Sequence, residues 1–210
     1  MMNKENITYQ TWNKVAQKYE DKFMSSSVYT YSFDALLQHT KIQNAKILDV
    51  GCGPGNITKY PLERNPNFNI TGIDFSENMI ELAKKNNPET DFKVLDCRNI
   101  DNLKQKYDVI IYGFCFPYIS KEETIKLIKK SKTLLNENGL IFISTMIDDY
   151  DKSEYKTSSS GDKIYTYYHQ ENDLVEELKI NNFKLLENYK KEYTKNNVVI
   201  ATDLFLIAKR

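Results

Sequence analysis

This chain has little from which to build a covalent or metal-held scaffold. Its three cysteines, Cys52, Cys97 and Cys115, are too few for a disulfide framework, and none stands in a Cys-x-x-Cys pair. With only two histidines beside them, no metal site is expected. No apolar run reaches the roughly 20 residues that cross a bilayer. The start, Met1-Met2-Asn3-Lys4-Glu5-Asn6, lacks the apolar stretch of a secretory leader. The expectation from these absences is a cytoplasmic protein with no membrane contact. Charge of one sign is missing too, because 29 Lys and Arg balance 29 Asp and Glu. That argues against a standing nucleic-acid groove, which shows as a basic excess. No internal repeat and no long linker divides the chain.

At 210 residues, 40% hydrophobic and 28% charged, the chain suits one globular domain with a full core. Its most informative stretch is Lys46-Ile-Leu-Asp-Val-Gly-Cys-Gly-Pro-Gly-Asn56. The apolar run Ile47, Leu48, Val50 reads as a buried parallel strand. It carries one acid, Asp49, and leads into glycines at alternate positions, Gly51, Gly53 and Gly55. Glycine lets the backbone turn sharply and approach a ligand, and the helix that follows offers unpaired N–H groups. Asn56 stands where the dinucleotide fingerprint needs its last glycine, which argues against a nicotinamide-dependent oxidoreductase. No Gly-Lys-Ser/Thr is present for a phosphate-binding loop.

What remains, Asp-x-Gly-x-Gly-x-Gly, resembles motif I of the class I S-adenosylmethionine-dependent methyltransferases. The resemblance continues in order. Asn69–Asp74 reads as a second strand ending in an acid, followed by Phe75-Ser-Glu-Asn-Met79 and a helix to about Lys85. Phe92–Asp96 reads as a third strand, again ending in an acid. Tyr107–Tyr112 and Gly139–Ser144 read as the fourth and fifth. The resemblance covers roughly Lys46 to Ser144, and the C-terminal third only by order of elements. It implies an α/β fold, a doubly wound, mostly parallel seven-stranded sheet of Rossmann-like type, with N-terminal helices and a lid insertion. It also implies S-adenosyl-L-methionine as cofactor. Gly51 and Gly53 form its cradle, with Asp49 close behind. Asp74 accepts the ribose hydroxyls, Asp96 receives the adenine amino group, and Phe75 and Met79 sandwich the adenine. Cys97 and Gly113, in the loops after strands three and four, complete the set. Asp74 and Asp96 also have a plain structural reading as helix caps, and Phe75 and Met79 stand at a helix-packing spacing.

Outside this core, Trp12, Val15, Ala16, Tyr19 and Phe23 recur on one helical face. A second helix is expected over Tyr29–His39. Relatives of small-molecule type carry a tyrosine near the cofactor's methionine end at the place of Tyr19. Packing explains Tyr19 equally well, and Trp12 and Phe23 read as core. The expected division is a helical cap over 1–44, a cofactor-binding core over 45–145, a substrate lid over 146–169, and a C-terminal helix and hairpin over 170–210. The lid segment is polar, rich in tyrosine, and carries no obvious regular structure.

Methyl transfer from a sulfonium depends mostly on alignment, and a base matters when the acceptor is a hydroxyl or a protonated amine. His169 and Tyr118 are the candidates for catalytic roles, against readings as a turn histidine and a turn-closing aromatic. In relatives that methylate amino groups of nucleobases or of protein glutamine, the loop after strand four reads Asp/Asn-Pro-Pro-Tyr. Here Cys115 replaces the acid or amide and only Pro117-Tyr118 matches, which argues against a nucleobase amine. The adjacent acids Asp148 and Asp149 read as solvated. The expected activity is methylation of O or N on a small molecule. Methylation of RNA or protein, and a catalytically inactive regulatory subunit, stay open, as does the oligomeric state.

Overall fold

The computed structural model describes residues 4–24 and 29–210. Residues 1–3 and 25–28 of the expected cap lie outside the described residues. The elements run α1 (Lys4–Phe23), α2 (Thr30–His39), β1 (Lys46–Val50), α3 (Asn56–Arg64), β2 (Asn69–Asp74), α4 (Glu77–Asn86), β3 (Asp91–Val94) and β4 (Tyr107–Gly113). They continue α5 (Lys121–Leu134), β5 (Leu135–Ile147), β6 (Glu154–Thr157), β7 (Lys163–Thr166), α6 (Glu171–Ile180), β8 (Lys184–Lys195) and β9 (Val198–Lys209). No described helix is long and apolar enough to cross a membrane.

Seven strands form one sheet in the order β3-β2-β1-β4-β5-β9-β8. Strands β1 to β5 run parallel, and β9 enters antiparallel between β5 and β8. The central strands β1, β2, β4 and β5 are largely apolar where they pair, because both faces are covered there. Side chains alternate between two core layers. Leu48, Val50, Ile110 and Ile141 pack with Leu127 and Ile128 of α5. Ile47, Ile111 and Phe142 pack with Phe33 and Leu36 of α2. By the same alternation Asp49 shares the Ile47 face, and there Thr58 of α3 donates its hydroxyl proton to Asp49 Oδ2 at 2.7 Å. From β1 the chain winds outward to β2 and β3, then returns to β4 on the other side of β1. The crevice at this reversal, outside the carboxyl ends of β1 and β4, is where open α/β sheets bind ligands.

Three element boundaries differ from the sequence reading. β3 stops at Val94 because Asp96 leaves the strand to cap the short turn of helix at Cys97–Asn102, accepting Arg98 N at 2.8 Å. β5 is longer than expected because β9 pairs with it as far as Ile147↔Thr202. The segment between β5 and α6 is not structureless. It forms a hairpin, β6 with β7, separate from the main sheet. The hairpin leans on α1, where Thr11 Oγ1 donates to Lys163 O at 2.7 Å and the Lys4 ammonium stands 3.8 Å from the Tyr165 ring centroid.

A two-stranded hairpin has little stability of its own, and its contacts with α1 are mainly polar. Amides of 154–166 are therefore expected to exchange with deuterium well before those of β1 and β4 in the apoprotein. Protection of the hairpin equal to that of β4 would show a rigid insertion instead.

Candidate functional site

The backbone of the glycine loop is fixed by β2. Gly51 N and Cys52 N both donate to Ile73 O, at 2.8 and 3.0 Å. Reaching that carbonyl while turning out of β1 requires left-handed backbone, and Gly51 and Gly53 have φ of +71° and +52°. A Cβ on Gly51 would stand 3.3 Å from Cys115 Cβ, and one on Gly53 would stand 3.7 Å from the Tyr19 ring. The loop thus borders a narrow cavity, roofed by α1.

That cavity gathers most of the sequence-predicted residues. Tyr19, Gly51, Gly53, Asp74, Phe75, Met79, Asp96, Cys97, Gly113 and Tyr118 all line it. Asp74 is buried and Oδ2 accepts Gly53 N at 3.0 Å, while Oδ1 accepts Ser76 N at 2.8 Å. Each oxygen keeps further acceptor capacity. Burial pushes the Asp74 carboxyl up to about 6, against the pull of those backbone bonds. Asp96 also faces the cavity, but its carboxylate is shared with Arg98, whose Nη1 lies 3.0 Å from Oδ2. Burial, reinforced by the charges of Asp74 and Asp49, pushes the Tyr19 hydroxyl up to about 12, and burial likewise raises Tyr118. Both phenols stay protonated at neutral pH.

Two predicted residues are elsewhere. Asp49 is fully buried behind the cavity wall. Its Oδ1 has no hydrogen-bond partner, and burial pushes its carboxyl up to about 7. His169 is not brought to the cavity at all. Its imidazole is buried, with Nε2 donating to Phe116 O at 2.9 Å. That nitrogen is committed to a carbonyl, and burial lowers the affinity of the ring for a second proton. The reading of His169 as an acceptor's base is therefore corrected to a packing histidine that fastens the end of the hairpin segment to the loop after β4.

The structure adds Trp12, Arg98, Phe114 and Cys115 to the wall. Trp12 was legible, since it stands seven residues before Tyr19 on the same helical face. It packs edge-on against both Tyr19 and Tyr118, with centroids 5.4 and 5.1 Å away. Arg98 carried no signal, because Glu123 of α5, which it also holds, is distant in sequence. Helix α1 is pinned over α4 by Asn13, whose side-chain oxygen accepts Ser76 Oγ at 2.9 Å and Asn78 N at 3.0 Å. Of the described residues no group of three or more His, Cys, Asp or Glu is arranged to hold a metal ion.

The buried acids make a testable pH dependence. Asp49 and Asp74 rise from an ordinary 3.8 to about 7 and about 6. Between those values the unfolded chain binds fewer protons than the native one, so stability falls as pH rises through the window. The apoprotein melting temperature is expected to fall between pH 5 and 8, and Asp49→Asn is expected to flatten that fall. An unchanged slope in the variant would assign the dependence to other groups.

Comparison with known proteins agrees with this geometry. A methyltransferase-domain family model matches residues 47–139. A malonyl-[acyl-carrier protein] O-methyltransferase of Bacillus cytotoxicus is 32% identical over 142 residues, covering 67% of this chain and 46% of that protein. A ubiquinone biosynthesis O-methyltransferase of Pelagibacter ubique is 35% identical over 109 residues, covering 50% and 43%. This chain spans less than half the length of either protein. In fold, it resembles the 1,6-didemethyltoxoflavin-N1-methyltransferase of Burkholderia thailandensis, solved with S-adenosylhomocysteine. The TM-score is 0.72 at 16% identity, over 100% of this chain and 91% of that one. The magnesium protoporphyrin IX methyltransferase of Synechocystis, solved with bound S-adenosylmethionine, gives 0.71 at 16% identity, over 100% and 98%. The matched stretch is the part of the sheet that carries the site, and in it and in its topology the chain is similar to the class I S-adenosylmethionine-dependent methyltransferases.

Proposed function

We propose that this protein transfers a methyl group from S-adenosylmethionine to a nitrogen or oxygen of a small molecule. The observation that carries the reading is the buried Asp74 carboxylate at the mouth of the glycine loop, within a cavity lined by nearly all the residues that the family resemblance marks. The bound cofactor supplies a methyl on a cationic sulfur, which passes to an acceptor lone pair while the C–S electron pair stays on sulfur.

The residues present fit that group. The cradle at Gly51 and Gly53 has no room to spare for a side chain at Gly51. Asp74 has two oxygens for two vicinal hydroxyls. Phe75 and Met79 offer an apolar slot, and Tyr9 of α1 packs edge-on to Phe75 at 5.5 Å. The carboxyl groups of Asp74 and Asp96 on the cavity wall suit a ligand with two cationic centres and one carboxylate. Tyr19, Trp12 and Tyr118 exclude water from one end of the cavity, so the chain's contribution to rate is alignment and desolvation. Helix α1 acts as the cover over this end, and the β6–β7 hairpin packs on the helix. The three free thiols suit the reducing cytoplasm. The relatives named as a malonyl-[acyl-carrier protein] O-methyltransferase and a ubiquinone biosynthesis O-methyltransferase support a small acceptor group over a nucleic acid.

Calorimetry with S-adenosylhomocysteine tests the reading. Wild-type protein is expected to bind in the micromolar range, about 8 kcal/mol at 1 μM, and not to bind NAD. Asp74→Ala should lose on the order of 2–4 kcal/mol, the worth of two charge-assisted hydrogen bonds. An unchanged dissociation constant would leave Asp74 as a structural tether between the glycine loop and Ser76 and overturn the assignment.

A further inference from the structure

Trp12, Tyr19, Gly113, Phe114 and Tyr118 line a second cavity as well as the first. The second cavity has a volume of about 240 Å³. An apolar cavity of about 150 Å³ takes benzene, and drug-sized ligands need about 300 Å³ or more. Its occupant is therefore one or two rings in size. Phe23, Phe33 and Tyr60 extend the aromatic wall away from the shared face, and aromatic faces hold both rings and cations.

Asp203 is the one formally charged residue on this wall among the described residues. It lies on β9 opposite Met146 and is 4% exposed. Its Oδ2 accepts the hydroxyls of Tyr29 at 3.2 Å and Tyr193 at 3.0 Å. Lys191 pairs with it across the strands, with its ammonium over the Tyr29 and Tyr193 rings at 5.4 and 5.5 Å, and does not line the cavity. Burial raises the carboxyl, against the hydroxyls of Tyr193 and Tyr29 and the nearby Lys191 ammonium, which lower it.

Phe114 marks where the two cavities meet. Its φ is +54°, a left-handed backbone that a bulky side chain rarely adopts and that concentrates at functional sites. Its amide is held there by Ser144, donating to O at 3.0 Å and to Oγ at 3.1 Å. The ring lands 4.8 Å from Tyr29, beside the Asp203 cluster.

We propose that the methyl acceptor is a small ring-bearing amine, its ring held by the aromatic wall of the second cavity and its ammonium bound to the carboxylate of Asp203, which takes one ammonium proton and so frees the nitrogen lone pair that receives the methyl. The inference rests on the methyltransferase reading and names the acceptor class for it. A carboxylic acid in this cavity would face Asp203 without solvent between them. A neutral ring forgoes the charge-assisted bond.

Trp12 is the only tryptophan of the chain, so intrinsic fluorescence reports on both cavities. The full chain, saturated with S-adenosylhomocysteine at pH 7, is titrated with benzylamine, benzyl alcohol and benzoate, and calorimetry checks each constant. Benzylamine is expected to bind about tenfold or more tighter than benzyl alcohol, the scale of one charge-assisted hydrogen bond, with benzoate weakest. Asp203→Asn should erase the amine preference while benzyl alcohol stays within about threefold. Tyr193→Phe, which keeps the carboxylate, should retain the preference. The proposal is overturned if benzyl alcohol or benzoate matches benzylamine, if no probe binds at millimolar concentration, or if the preference survives in a folded Asp203→Asn protein. Should that variant not fold, the wild-type series decides. Failure of S-adenosylhomocysteine to bind would sink the methyltransferase reading, whereas its binding without amine selectivity would sink this inference alone.

Discussion

One carboxylate organises the cofactor end of the molecule. Asp74 terminates β2, accepts the amide of Gly53 from the loop after β1, and accepts the amide of Ser76 where α4 begins. The loop after β1 and the start of α4 thus meet on its two oxygens. The glycine loop is tethered a second time through Ile73 O, so β2 holds the loop both by backbone and by side chain. A buried acid with no cation beside it is costly, and this one is kept because backbone amides hold it. The site is therefore pre-formed at its polar end, with donors and acceptors in place before a ligand arrives.

The opposite end is assembled differently. Helix α1 crosses over α4 and the hairpin, and its contacts to both are hydrogen bonds and ring edges with few buried aliphatic groups. Asn13 alone accounts for three of its bonds to α4. Polar contacts of this kind exchange readily with water, while the apolar layers on either face of the sheet do not. The result is a cradle held by the sheet beneath a helix fastened to α4 and the hairpin mainly by polar bonds.

The cradle was legible in the sequence because its chemistry is local. An acid, three glycines and two further strand-end acids each sit beside the element that positions them, so spacing alone orders them. The second cavity was not legible. Asp203 reaches it through β9, an antiparallel strand inserted between two others, and no short-range pattern announces which alternate residue of β9 faces inward at that height. Phe114 looks like any apolar loop residue until its backbone is seen. His169 shows the reverse error. Among tyrosines in a polar segment it resembles a base, and only the carbonyl of Phe116, fifty-three residues away, reveals its use in packing. The hairpin escaped because each of its strands has four residues, too short for alternation to stand out.

The wall shared by the two cavities has a thermodynamic consequence. Trp12, Tyr19 and Tyr118 touch whatever occupies either side, so an occupant that fixes these rings changes the affinity of its neighbour. Linkage makes that change reciprocal. To whatever factor the cofactor tightens the acceptor, the acceptor tightens the cofactor. A partition of aromatic rings then couples the two binding equilibria with no movement of the sheet beneath them, and two of its three rings, Trp12 and Tyr19, belong to helix α1.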